Sequence, residues 1–229
     1  MYSTRLNTSV NGPLHLGHIY TGLINESVAH ETGGKFIVRW DDSHPIRLVT
    51  LGRAKTELIL KGQRDDLEWL GFEPDKWIKQ SDIIDEVHEY LSKRADVLLD
   101  KNPPEVIPEL IGNDILLYPL TPMLTAEKVV MDWMEGVNLL IRGIDLLSEY
   151  SLYQYYCERF GLPRPKHIYL PRLRWKDGDM SKTGGAQTVF DLRRDGYTPQ
   201  EVLDMVGIAC LRNTPNGWTF QNLKSEPRL

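Results

Sequence analysis

The chain has 229 residues, 41% of them hydrophobic, and carries a formal net charge of −5 with a pI near 5.7. That supports one packed domain with a small appendage, and the acidic balance argues against a large nucleic-acid footprint, leaving only a local patch for such a partner. Cys157 and Cys210 are far apart and not in CxxC spacing, MYSTRLNTSV lacks a secretory apolar core, and no apolar run can span a bilayer; a zinc ribbon and a membrane protein are excluded, and a reduced, cytoplasmic setting is expected.

In chain order, Met1 to Thr8 reads as a short strand. Pro13 and Gly17 bracket the turn after it. Leu16, Ile19, Leu23, Ile24 and Val28 then recur at helical spacing until Gly33-Gly34. KFIVRW, Lys35 to Trp40, has the β-branched and aromatic content of a buried strand. Strand, helix, strand predicts an α/β fold, a Rossmann-like parallel sheet with helices on both faces. Thr56 to Leu70 is a second amphipathic helix, and Ile83, Val87, Tyr90, Leu91 and Arg94 mark a third. KNPPEVIP, Lys101 to Pro108, is a proline-rich break. GVNLLIRG, Gly136 to Gly143, is strand-like. Asp145 to Phe160 is a helix whose aromatic stripe (Tyr150, Tyr153, Tyr156, Phe160) reads as core packing. HIYLPRL, His167 to Leu173, is a last short strand. WKDGDMSKTGG, Trp175 to Gly185, is a loop, and Thr198 to Leu211 is helical with Pro199 in its first turn.

Two stretches have the residue types for phosphate chemistry. The turn after the first strand of a parallel sheet lies at its carboxyl edge, and the next helix aims free N–H groups there. In NGPLHLGH, His15 and His18 stand one turn apart with Gly17 between them. Alone, these residues fit equally a Pro-Gly turn with two surface histidines or a site where both imidazoles donate Nε–H to phosphate oxygens. In MSKTGG, Met180, Ser181 and Lys182 precede Gly184-Gly185. A lysine in a glycine-flanked loop suits charge building on pyrophosphate, and a solvated turn is the bland reading. The two stretches together, in this order on an α/β pattern, point to nucleotide chemistry.

At these residues the sequence resembles the class I aminoacyl-tRNA synthetases, with PLHLGH as their HIGH motif and DMSKT as a variant of KMSKS. TRLNTSVNGPLHLGH is similar to the glutamyl branch's TRFAPSPTGxLHxGH, GGKFIVRWDDSHPIR to GGKFILRIEDTDPxR, and LIRGIDLL to VIRGxDLL. HIYLPRL and GAQTVFDLRRDGYTPQEVL follow in the branch's order. The resemblance implies ATP, with Mg²⁺ on its phosphates, held by Ser9, His15, Gly17, His18, Met180, Ser181, Lys182 and the backbone at Leu170. His15, His18 and Lys182 would be the catalytic group. It implies that Arg5 and Arg142 grip the amino acid's carboxylates and that Asp41 holds its ammonium. Arg39, Asp42 and Asp145 read as supporting ion-pair or cap residues.

Three departures stand out. Leu124 and Lys128 fall where the branch has a tyrosine and an asparagine in the amino-acid pocket. Lys128 either adds a charge suited to an acidic side chain or faces water on a helix. Asp179 replaces the first lysine of the loop motif. The insertion between the halves of the fold shrinks to about 90–116, so no zinc is expected. The implied organisation is a catalytic domain over 1–185 and a short helical segment over 186–229, without an anticodon-binding domain. The expected activity is formation of an aminoacyl-adenylate from glutamate or a related amino acid. The acceptor stays open between a tRNA acceptor end, a modified nucleoside, a carrier protein and a small-molecule amine. The truncated relative that glutamylates queuosine in an aspartate tRNA is the nearest functional analogy. The alternatives are a non-catalytic nucleotide-binding paralogue and a nucleotidylyltransferase of the wider HxGH superfamily.

Overall fold

Thr4–Ser9 (β1), Phe36–Asp41 (β2) and Lys76–Lys79 (β3) form a parallel sheet in the order β1-β2-β3. The computed structural model describes residues 1–43, 49, 51–99, 104, 121–171, 174–175, 178–179 and 187–212. Leu139–Gly143 (β4) and Lys166–Leu170 (β5) form a second parallel pair. Ser3, just before β1, joins the two: its carbonyl accepts from the N–H groups of Asn138 and Leu139 at 3.1 and 3.2 Å. Beyond Ser3 the strands part. Asn25, fully buried on the helix Leu16–Glu31 (α1), fills the gap by donating Nδ2–H to the Ile141 carbonyl at 3.0 Å. The strands therefore lie in the order β3-β2-β1-β4-β5, with the split at the reversal of strand order. The carboxyl edge of that split is where open α/β sheets bind ligands.

Alternation along the strands sorts the core into two clusters. Leu6, Phe36, Val38, Trp40, Leu139, Ile141 and Leu170 pack with α1, with Arg53–Trp69 (α2) and with two later helices. Those two are Val189–Arg194 (α6) and Pro199–Arg212 (α7), which bury Val189, Leu192, Val202 and Val206 in the same cluster. Ile37, Ile78 and Leu140 face the opposite way, onto Ile84–Ser92 (α3), Thr121–Met134 (α4) and Tyr150–Phe160 (α5).

Several elements differ from the expectation. The span of helix α4 was not anticipated beyond one reading of Lys128 that set it on a helix, although Ala126, Val129 and Val130 bury at helical spacing. Strand β3 was also missed, since only Ile78 of its four residues is buried. The helix expected from Asp145 begins as a 3-10 segment, Ile144–Glu149, and becomes α-helical at Tyr150. Within its stripe Tyr153, Tyr156 and Phe160 are core residues and Tyr150 is half-buried. At the start of the expected loop, Arg174–Trp175 and Gly178–Asp179 pair as antiparallel strands β6 and β7, with Arg174 just before the loop's first residue. The break at 101–108 lies outside the described residues except Pro104. No helix among the described residues is long and apolar enough to cross a membrane.

Candidate active site

The β1–α1 connection is fixed mainly by backbone groups. His15 is the N-cap of α1, and its Nδ1 accepts from the Gly17 N–H at 3.1 Å. His18 Nδ1 accepts from the His15 N–H at 3.2 Å. An acceptor at Nδ1 places the proton of a neutral imidazole on Nε2. Both rings therefore carry Nε2–H donors at the N-terminus of α1, with centroids 3.9 Å apart. Gly17 is required here for a reason other than ligand approach: a Cβ would meet His15 Cε1 at 2.9 Å and Nδ1 at 3.0 Å. Glycine lets the His15 ring fold over the first turn.

Gln63 on α2, which the sequence reading passed over, straps the same connection. Its Nε2 donates to the carbonyls of Ser9 at 3.0 Å and Gly12 at 2.7 Å, and its Oε1 accepts from the Thr8 hydroxyl at 3.0 Å. On the other side, the Val189 N–H donates to the Leu14 carbonyl at 2.8 Å, and Thr188 bridges His15 in antiparallel fashion. Thr188 and Val189, downstream of the MSK segment, thus meet the chain at His15 and Leu14. Met180, Ser181 and Lys182 lie outside the described residues.

The opposite face of the sheet holds the charged half of the site. Strand parity places Arg5 and Ser9 of β1, Arg39 and Asp41 of β2, Arg142 of β4 and Tyr169 of β5 on the face toward α4 and α5. Arg5 reaches Asp132 of α4 through Nε and through NH2, the latter at 3.0 Å. Arg39 NH2 lies 2.9 Å from the same carboxylate, and Tyr153 donates its O–H to it at 2.9 Å. Arg39 NH1 also pairs with Glu135 at 2.9 Å. Burial works against the Asp132 charge, but Arg5 and Arg39 prevail and hold its carboxyl well below the usual range. Arg5 is held above its ordinary value, since Asp132 outweighs burial. Two of Arg5's three nitrogens are thus spent on an internal carboxylate. Arg39 sits in the supporting ion-pair role expected of it, and Asp42 binds the N–H and hydroxyl of Ser81 at 2.9 and 2.6 Å.

Nearer the split, Lys128 Nζ contacts both oxygens of Glu149 at 3.0 and 3.1 Å, and Arg142 NH1 lies 3.4 Å from Glu149 Oε2. Lys128 therefore does not simply face water; Leu124, one turn earlier on α4, is half-buried. Arg142 NH2 donates to the Tyr169 hydroxyl at 3.2 Å and to His167 Nδ1 at 3.3 Å. Burial and then the Arg142 charge push the His167 imidazole down to about 3, so it stays neutral. Asp41 lies at the end of β2 near Glu127, which hydrogen-bonds His88 at 2.8 Å. Leu170 is buried on the α1 side, so only its backbone is offered at the carboxyl edge of β5. Asp132 and Glu149, the carboxylates that organise this face, were absent from the sequence reading. Among the described residues no group of three or more His, Cys, Asp or Glu is arranged to hold a metal ion. A nucleotide-bound Mg²⁺ would be held by phosphate oxygens and water, while the Nε2–H pair and the helix N-terminus fit the phosphates.

Residues 1–101 match the family model for the catalytic domain of class I tRNA synthetases (E and Q). A glutamate–tRNA ligase of Ruegeria sp. is 36% identical over 97 residues, 42% of this chain and 20% of that protein. A glutamine–tRNA ligase of Rhodopirellula baltica is 23% identical over 299 residues, covering 93% of this chain and 49% of that protein. The chain superposes on a glutamate–tRNA synthetase from Elizabethkingia anophelis with a TM-score of 0.65 at 20% identity, covering 92% of this chain and 61% of that one. A glutamate tRNA ligase from Elizabethkingia meningosepticum, crystallised in complex with its amino acid, gives 0.67 at 18% identity, covering 97% and 62%. These solved structures share the Rossmann-type fold. The chain spans less than two thirds of the length of each of these proteins.

Proposed function

We propose that this chain, whose first 101 residues match the family model for the catalytic domain of the class I tRNA synthetases (E and Q), activates glutamate or a related amino acid with ATP. The amino acid carboxylate attacks the α-phosphate in line, forming an aminoacyl-adenylate and releasing pyrophosphate. The observation that carries this reading is the paired geometry of His15 and His18. Both Nδ1 atoms are tied to backbone N–H groups, so both rings carry their donor on Nε2 at the N-terminus of α1. Such fixed donors stabilise charge without reorganising during reaction. Ser9, Gly17 and the backbone at Leu170 complete the ATP side, and Met180, Ser181 and Lys182 contribute from their own loop. Lys182 offsets charge on the departing pyrophosphate. Arg5, Asp41, Leu124, Lys128 and Arg142 shape the amino-acid side, with Asp41 on the α-ammonium. Mg²⁺ enters with the nucleotide and supplies charge neutralisation on its phosphates. The acyl group then passes to an acceptor, a tRNA end or a smaller amine.

Pyrophosphate–ATP exchange measured across the amino acids tests this directly. Exchange with glutamate, glutamine or a close analogue, lost in Lys182→Ala, is expected. No exchange with any amino acid by folded protein overturns it. One observation favours a second reading, a nucleotide-binding chain without turnover: an internal carboxylate, Glu149, already occupies Lys128 and Arg142. Calorimetric ATP binding without exchange would select that reading.

A further inference from the structure

We propose that Glu149 is the specificity-determining residue of the amino-acid pocket, and that it selects an uncharged carboxamide side chain over a carboxylate. The inference rests on the amino-acid activation proposed above. Among the described residues, Arg5, Arg39, Lys128 and Arg142 on this face each already hold an internal carboxylate. Arg5 and Arg39 share Asp132, Arg39 also takes Glu135, and Lys128 and Arg142 share Glu149. Glu127 pairs with His88, and Asp41 lies near Glu127. The α-ammonium and α-carboxylate of a free amino acid cancel, so a neutral side chain adds no net charge to this face. A carboxylate side chain adds one negative charge beside Glu149, where like charges repel.

The hydrogen-bonding pattern points the same way. Glu149 is an acceptor only, with a side chain 13% exposed. Next to it stand donors: Lys128 Nζ, Arg142 and the Tyr169 hydroxyl. Arg142 Nε is buried and has no hydrogen-bond partner in this structure. A carboxamide matches that pairing, its NH₂ donating to Glu149 and its carbonyl accepting from the cations. A carboxylate can use the donors but offers nothing to Glu149. Sites built to hydrogen-bond one polar group discriminate strongly against an analogue that cannot reciprocate.

The test is calorimetric binding of two stable adenylate mimics, the glutaminyl and glutamyl sulfamoyl-adenosines, to the full wild-type chain and to Glu149→Gln. The wild type is expected to bind the glutaminyl mimic at least about tenfold more tightly. Glu149→Gln is expected to narrow or invert that ratio by a similar factor, whereas a merely structural role would weaken both mimics alike. Equal or reversed preference in the wild type overturns this inference alone, whether or not the variant folds. An unchanged ratio in a folded Glu149→Gln also overturns it. Binding of neither mimic overturns the activation reading and this inference with it.

Discussion

Replacing Asp132 with asparagine is the most direct perturbation of the charged face. The side chain keeps its shape, so no cavity forms and the change is one of charge. Asp132 is 1% exposed and holds Arg5 through two hydrogen bonds, Arg39 at 2.9 Å and the Tyr153 hydroxyl at 2.9 Å. Asparagine leaves two buried guanidiniums sharing one fewer carboxylate and loses at least one strong acceptor. Breaking a buried pair from one side costs about 3–5 kcal/mol, a large part of the roughly 5–15 kcal/mol that holds a domain folded. Urea unfolding at pH 7 followed by circular dichroism measures it as a lower midpoint at unchanged slope. The pH dependence gives an independent check. The folded carboxyl lies below its ordinary value, so the unfolded chain takes up the proton first as pH falls. Wild-type stabilisation is therefore present at neutral pH and declines below about pH 4, and Asp132→Asn lacks that part of the acid slope. A loss under about 1 kcal/mol at pH 7, or an unaltered acid slope, would refute the view that Arg5 is held mainly by an internal partner.

Three further substitutions probe other parts of the site. Gln63→Leu removes three hydrogen bonds of a buried side chain on the β1–α1 connection and is expected to cost about 2–3 kcal/mol in urea unfolding; a neutral result would show that Gln63 does not strap it. Gly17→Ala forces the His15 ring away from a Cβ at 2.9 Å and breaks the bond from the Gly17 N–H, so ATP affinity by calorimetry should fall about 3–10-fold, with the melting temperature unchanged or raised because alanine favours the helix. Asp66, 3% exposed on α2, has its carboxyl pushed by burial up to about 6, with Arg193 opposing. Its folded value is raised, so its contribution is full below about pH 4 and is lost as pH rises through 6. Asp66→Asn should therefore raise the melting temperature at pH 8 and leave it unchanged at pH 4, with a ceiling of roughly 3 kcal/mol from the gap of about two pH units.

What could be read in the sequence was local. β1, α1 and β2 announce themselves because Leu6, Ile19, Val28, Phe36 and Val38 recur with the period of their own element and bury on one side. His15 and His18 are visible because their partners are backbone groups within three residues. The residues that set the charged face are not visible in this way. Asp132 lies 127 residues from Arg5, and Glu149 lies 21 from Lys128. A carboxylate in an amphipathic helix looks solvated until the opposing guanidinium is known. Helix α4 was recoverable from Ala126, Val129 and Val130, yet it follows a proline-rich stretch that drew the reading toward a linker. β3 was not, since a four-residue strand flanked by lysines has too few buried positions to show a period.

The two halves of the site are consequently held by different forces. The half proposed for the nucleotide is positioned by backbone amides, by Gln63 on backbone carbonyls and by a strand-like bridge from Thr188. Few side chains can be exchanged there without moving the main chain. The half proposed for the amino acid is positioned by ion pairs between side chains on β1, β4, α4 and the 3-10 segment. Substituting the partly exposed Glu149 there changes the charge that a ligand would meet without touching the buried Arg5–Asp132–Arg39 set. Glu149→Gln is therefore expected to alter the ratio between amino-acid mimics without altering ATP affinity, and Gly17→Ala to do the reverse. Measuring both ligands on both variants gives a double dissociation, and a shared loss in either variant would show that the two halves are mechanically coupled through β1.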